Sequence, residues 1–168
     1  MAWTAPKTDF APGNILNAAQ MNAIGNNLDA VGGAWIPYTP SVTNLTLGNG
    51  TLAFQYMNAG QLYVVRFSFS FGSTSSITGV PEFSTPNGST IDASSTVHAL
   101  GVATVWDNGS SVFPGTVLPG ASLYTNFRVL IYNAAGTYAS LTGITSTVPM
   151  TWANTDFLHG TLVYESTT

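Results

Sequence analysis

The sequence predicts a mainly β fold: an antiparallel β-sandwich, jelly-roll-like, preceded by one short N-terminal α-helix. Three observations carry this. Leu47–Phe71 reads as two strands joined by a tight turn, the second with Tyr63, Val65, Phe67, Phe69 and Phe71 on one face and Leu62, Val64, Arg66, Ser68 and Ser70 on the other. A period of two in β-branched and aromatic residues, bounded by Gly and Asn, is the strand and hairpin signal. Short strands with Gly, Asn and Pro between them run from residue 34 to the C-terminus, the mark of a sandwich, jelly roll or barrel. A helical pattern occurs once, before residue 33, and no longer repeat is evident. The chain therefore divides into residues 1–33, an arm and a helix that anchors or oligomerises, and residues 34–168, the β-sandwich domain.

Met1–Gly13 is irregular, with Pro6 and Pro12 restricting their neighbours. Trp3 and Phe10 are large apolar residues in a segment without structure of its own, so this anchoring arm docks on its own domain or on another subunit. Asn17–Val31 follows as the helix. Asn17 can cap it, Ala18, Ala19 and Gln20 propagate it, and Gly32-Gly33 stops it. Met21, Ile24, Leu28 and Val31 recur at spacings of 3, 4 and 3. Such a narrow seam is the two-per-heptad pattern of helices that pack on one another. A helix this short is marginal alone in water, and Gly25 weakens it further. It lies on its own β-domain, or copies bundle around a symmetry axis; the seam and the glycine hinge favour the second.

The β-domain opens with Trp35-Ile36-Pro37-Tyr38-Thr39-Pro40, whose prolines suit an edge strand. Gly48-Asn49-Gly50 is a turn that tolerates positive φ. The central hairpin runs Thr51–Tyr56, turns at Asn58-Ala59-Gly60, and returns over Gln61–Phe71. Its aromatic face is the most apolar surface in the chain and must be buried. Further strands are expected at Ile77–Phe83, Thr96–Trp106, Val112–Leu118 (interrupted at Pro114-Gly115), Ser122–Tyr132, Thr137–Leu141, Thr147–Trp152 and Phe157–Tyr164. Turns fall at Pro86-Asn87-Gly88-Ser89, Asp107-Asn108-Gly109-Ser110 and Asn133-Ala134-Ala135-Gly136. Leu123, Phe127, Val129 and Ile131 form the inner side of the strand over 122–132.

Composition narrows the role. Of 168 residues 45% are apolar, enough for a core, but only 6% are charged, against about 25% in an average globular protein. The surface must be Ser, Thr, Asn, Gln and Gly, with weak repulsion between copies. That suits a protein working in an assembly or outside the cell better than a free cytosolic enzyme. Lys7, Arg66 and Arg128 are the only bases, too few to release counterions from nucleic acid. The absence of Cys excludes disulfides and Cys-based zinc sites. No basic start with an apolar run, and no long apolar stretch, marks a signal peptide or membrane span. Synthesis in the cytosol without a secretion signal is the expectation, with no membrane insertion.

No catalytic chemistry is legible, and no catalytic, metal or cofactor residues are assigned. His98 and His159 sit in alternating strands and fit local hydrogen bonding better than metal ligation. Glu82, Asp92, Asp107 and Asp156, with Glu165 near the end, are the acids available for a glycoside-hydrolase pair. The first four lie in or beside turns, where Asp is common anyway. Asp107-Asn108-Gly109-Ser110 is the best local calcium candidate, and a plain turn is the better reading. The four N-x-Ser/Thr sequons at Asn44, Asn49, Asn87 and Asn108 follow from the abundance of Asn and Thr. The remaining signal is aromatic. Trp106, Tyr124, Tyr132 and Tyr138, with Trp152, exceed what the core needs; the first four are the candidate ligand surface, of the kind that binds sugars or proteins. Packing in the core or between subunits is the competing explanation.

Two runs of residues carry a resemblance. Phe10-Ala11-Pro12-Gly13, Ile15-Leu16-Asn17-Ala18-Ala19, Met21-Asn22 and Asn27-Leu28 resemble the start of many tailed-bacteriophage virion proteins. Trp35-Ile36-Pro37-Tyr38-Thr39-Pro40, Leu47-Gly48-Asn49-Gly50-Thr51, Tyr56, Gly60 and Phe71-Gly72 are similar to a domain of phage minor tail, tail-fibre and head-fibre proteins. The likeness covers about residues 10–85. It implies a homotrimeric spike or fibre with its N-terminus held in the particle and its β-domain outward, partnered by capsid or tail proteins, and no catalytic residues. The expected role is a non-enzymatic structural protein of the virion, possessing no cofactor and presenting a neutral surface for host attachment. A carbohydrate-binding module that recognises a host-surface glycan is the alternative, with a glycan hydrolase behind it.

Overall fold

A computed structural model describes residues 17–31, 34–92, 99–121 and 124–167. Trp3 and Phe10 of the expected anchoring arm, the Gly32-Gly33 pair expected to end the helix, His98 and Leu123 lie outside these residues. The chain is mainly β, with one short helix and an antiparallel curled sheet that forms a half-barrel.

Helix α1 spans Ala18–Val31, about 21 Å at 1.5 Å per residue. Its start is a reciprocal cap. The Gln20 amide N–H donates to Asn17 Oδ1 at 2.9 Å, and the Asn17 N–H donates to Gln20 Oε1 at 2.9 Å. Two of the N–H groups that no helical carbonyl can reach are thereby satisfied.

Ten strands follow: β1 (Ile36–Tyr38), β2 (Val42–Thr46), β3 (Thr51–Ala59), β4 (Leu62–Ser70), β5 (Ser76–Ser84), β6 (Gly101–Asp107), β7 (Ser111–Pro119), β8 (Asn126–Asn133), β9 (Ser140–Gly143) and β10 (Phe157–Glu165). All belong to one sheet, ordered β1-β3-β4-β10-β6-β7-β8-β5-β2, with β9 added beside β8. The predicted sandwich of two facing sheets is corrected here: one continuous sheet bends round and faces itself. Connectivity demands the bend. Laid flat, the nine strands of this path would separate β1 from β2 by about 38 Å at about 4.8 Å per gap. The chain joins them through Thr39–Ser41 alone, a reach of at most about 14 Å. The two ends of the path are tied as well, because the Tyr38 hydroxyl of β1 donates to the carbonyl of Ser84, at the end of β5, at 3.4 Å, and Ser84 in turn exchanges hydrogen bonds with Ser41 just before β2.

The central hairpin forms as the alternation predicts. β3 and β4 pair from Thr51↔Ser70 to Ala59↔Leu62. The two-residue loop has Gly60 at φ 62°, so β3 runs three residues past its expected end at Tyr56. Tyr63, Val65, Phe67, Phe69 and Phe71 are all buried. Across the curl, Phe54 and Phe67 meet Phe83 and Phe127 at centroid distances of 5.2–6.3 Å. Phe127, Val129 and Ile131 of β8 also point inward. Burial of this cluster is the main drive to curl, since a flat sheet would leave the same rings in water.

Other differences have local causes. β2 was not expected; an irregularity between Thr43 and Leu45 interrupts its alternation, with Asn44 at φ 59° and its side chain donating to the Val80 carbonyl at 3.0 Å. β7 runs unbroken through Pro114-Gly115, because its pairing with β8 begins only at Gly115, where a missing N–H does least harm. The described part of β6 starts at Gly101 rather than Thr96, and β9 covers only the end of the strand expected at Thr137–Leu141. Thr147–Trp152 is not a strand. It folds back on itself, with a cis peptide at Val148-Pro149 and the Trp152 Nε1–H donating to the Thr145 carbonyl at 3.0 Å. Trp152 is buried, its ring stacked on Phe71 at 5.5 Å.

Candidate interaction surface

Two of the candidate acids hold turns of the fold through their carboxylates. Asp156 is 2% exposed. Its carboxylate accepts the Ala153 N–H at 2.6 Å and the Asn108 N–H at 3.1 Å, tying the loop before β10 to the β6–β7 turn. Glu82 accepts the Ala121 N–H at 2.8 Å and Asn126 Nδ2 at 3.4 Å. Hydrogen bonds thus fix these two acids to separate turns rather than to each other. Asp107 closes the β6–β7 turn through its carbonyl, which accepts the Ser110 N–H at 3.0 Å. The four sequon asparagines use their side chains within the fold: Asn44, at the irregularity in β2, on Val80, and in turns Asn49 on Ser73 and Thr74, Asn87 on the Tyr56 hydroxyl, and Asn108 on Thr155 at 2.9 Å. His159 lies on the outer face of β10, opposite Ser68 and Thr104. Among the described residues no group of three His, Asp or Glu side chains is placed to hold a metal ion.

A tyrosine cluster closes one end of the half-barrel. Tyr63 stacks on Tyr164 at 5.3 Å and nearly parallel, and on Tyr56 at 6.0 Å. The Tyr164 hydroxyl shares a 2.6 Å hydrogen bond with Ser89 Oγ. Burial pushes the Tyr164 and Tyr38 hydroxyls well above the usual tyrosine value, only partly opposed at Tyr164 by the Ser89 bond. These groups stay protonated and act as hydrogen-bonding struts.

Two apolar surfaces stand out among the described residues. The first is on α1. Met21, Ile24 and Leu28 of the predicted seam are 52%, 40% and 67% exposed. The helix approaches its own β-domain at β3, and its covered side carries Gln20, Ala23 and Asn27, of which Asn27 is buried. That side lies about 100° round the helix from the seam. Gln20, Ala23 and Asn27 are polar or small, so sequence hydrophobicity gave no sign of them. Beyond the helix, the Arg66 guanidinium sits 4.3 Å from the Trp35 ring centroid and its Nε donates to Gln55 Oε1 at 2.7 Å. This holds Trp35 against β3 and β4.

The second surface is the outer face of the neighbouring strands β10, β6, β7, β8 and β9. Register places Trp106 opposite Val112 on one side and Phe157 on the other, and the next outward row is Thr104, Pro114 and His159. Tyr132 faces Leu141 on β9. Val102, Trp106, Val112, Tyr132 and Leu141 are all exposed. Of the four aromatics predicted as a ligand surface, Trp106 and Tyr132 therefore share this face, and Tyr138, 85% exposed, lies in the β8–β9 turn beyond Tyr132. Tyr124 does not join them. It lies in the turn before β8, at the end of that strand opposite Tyr132, and its carbonyl accepts the Ile91 N–H. Val102, Val112 and Leu141 were missed because nothing in a two-residue period says which face is covered.

Comparison with known proteins finds no matching family model, no matching curated protein and no matching solved structure.

Proposed function

We propose that this chain is a non-enzymatic structural subunit of a tailed-phage virion, assembled as a homotrimer through α1. The observation that carries self-association is the seam. Three large apolar side chains stay exposed on a helix that meets its own domain through a different side. A short helix gains most of its stability from covering such a face, and a second and third copy supply the same face. The outer surface around Trp106 and Val112 adds apolar area suited to contacts with neighbouring virion proteins of capsid or tail. Low charge removes repulsion between copies. The number three and the virion setting rest on the resemblance of residues 10–85 to phage appendage proteins, in which the N-terminus is held in the particle and the β-domain faces outward.

Light scattering on the full-length protein and on Ile24→Asp tests this reading. The native chain is expected at three times the chain mass and the variant at one, with unchanged β-sheet circular dichroism. A monomeric native protein, or a variant that keeps the trimer, would overturn it.

A further inference from the structure

Between the β4–β5 turn and the loop before β10 lies an open hollow of about 470 Å³, within the range of small-molecule clefts, about 300–1,000 Å³. Its apolar wall is Phe71, Ile77 and Trp152, and its polar rim includes Ser76, Ser146 and Asn154. Among the described residues no acid or base lines it. We infer that this hollow is a binding site for a neutral saccharide.

The lining selects for that chemistry. A charged ligand would lose water on entry and meet no counter-charge. A purely apolar one would strip water from the rim without replacing its hydrogen bonds. A neutral sugar offers C–H groups to the narrow apolar strip that the edges of Phe71, Ile77 and Trp152 leave open, and hydroxyls to the rim. The rim is available, because Ser76, Ser146 and Asn154 are exposed and their side chains hydrogen-bond to no other described residue. The wall is fixed in advance: Trp152 is stacked on Phe71 and held by its Nε1–H on the Thr145 carbonyl, while the Ser75 hydroxyl ties the opposite turn to the Leu47 carbonyl. Neighbouring turn residues are likewise engaged, Ser73 by Asn49 and the Gly72 N–H by Ser75. Prior ordering lowers the entropy lost on binding. No described residue of α1 lines the hollow, so binding is expected whether or not copies associate through the seam.

The test is an amide-shift titration of ¹⁵N-labelled full-length protein with lactose, maltose, cellobiose and N,N′-diacetylchitobiose, and with glucuronate as the charged control. At least one neutral disaccharide is expected to saturate at millimolar concentration, moving the signals of Gly72, Ser76, Ser146, Asn154 and the Trp152 indole. The double variant Ser146→Ala/Asn154→Ala removes two exposed hydrogen-bonding groups, and affinity is expected to fall about tenfold while the rest of the spectrum is unchanged. Absence of saturable shifts with all four, shifts mapping to Trp106 and Tyr132 instead, equal binding of glucuronate, or undiminished affinity in the double variant would each overturn the assignment. Ile24→Asp binding as the native chain does is expected, and keeps this result separate from the fate of the trimer.

Discussion

Phe54 and Phe83 are far apart along the sheet, second and eighth of nine strands in order, yet their rings lie 5.2 Å apart at 42°. Only the curl brings them together, so their coupling measures it. Both are fully or almost fully buried. Phe54→Leu and Phe83→Leu each keep an apolar side chain and are expected to cost about 1–3 kcal/mol, which leaves the fold intact to be measured. Aromatic pairs in such geometry contribute about 0.5–1.5 kcal/mol beyond area burial. The double variant should therefore be less destabilised than the sum of the singles by about that amount. The assay is urea unfolding followed by circular dichroism, with equal m-values across the set. A control cycle pairs Phe54→Leu with Tyr138→Leu, which is exposed in a turn, and should be additive within about 0.3–0.5 kcal/mol. Additivity in the Phe54–Phe83 cycle as well would refute the curled sheet.

Alkaline pH should weaken the protein through Tyr38 and Tyr164. Both hydroxyls are raised by burial above the usual value of 10.0, so below about pH 10 native and unfolded chains are equally protonated. Above it the unfolded chain loses protons that the native chain keeps, and stability falls by up to about 1.4 kcal/mol per pH unit for each tyrosine. Urea midpoints should be flat to about pH 10 and then drop, and Tyr164→Phe should show a shallower drop; equal slopes would contradict the assignment. Asp156→Asn offers an amide where two backbone N–H groups need acceptors, and is expected to lose about 1–3 kcal/mol, with faster hydrogen exchange at Ala153 and Asn108; exchange as slow as in the native chain would show that the carboxylate is not the tie. Gly160→Ala would set a Cβ 2.5 Å from the Val102 carbonyl oxygen and 2.8 Å from Phe67 Cζ. Thermal unfolding should report a loss of about 1–3 kcal/mol or more, and an unchanged Tm would mean that β6 and β10 are not so closely apposed.

The sequence alone settled much of the local structure. Alternation in Gln61–Phe71 named the five residues of the central buried face, and each is buried. Asn17 was legible as a cap because a short polar side chain before a helical pattern meets the first free N–H groups. The β-rich class followed from strand period and turn residues, which are local properties. Tertiary structure decided the rest. Whether strands form two sheets or one depends on which of them pair, and β1 pairs with β3 while β2 crosses to β5. Sequence periodicity is blind to such long-range choices. The same holds for the surface. Trp106 and Tyr132 share a face whereas Tyr124 does not, because register, set by pairing along β6, β7 and β8, fixes what stands beside what. Trp152 read as a spare surface aromatic and is buried on Phe71, since the loop that carries it folds back over the half-barrel. The hollow beside it joins two segments some seventy residues apart in the chain, a juxtaposition that no local pattern encodes.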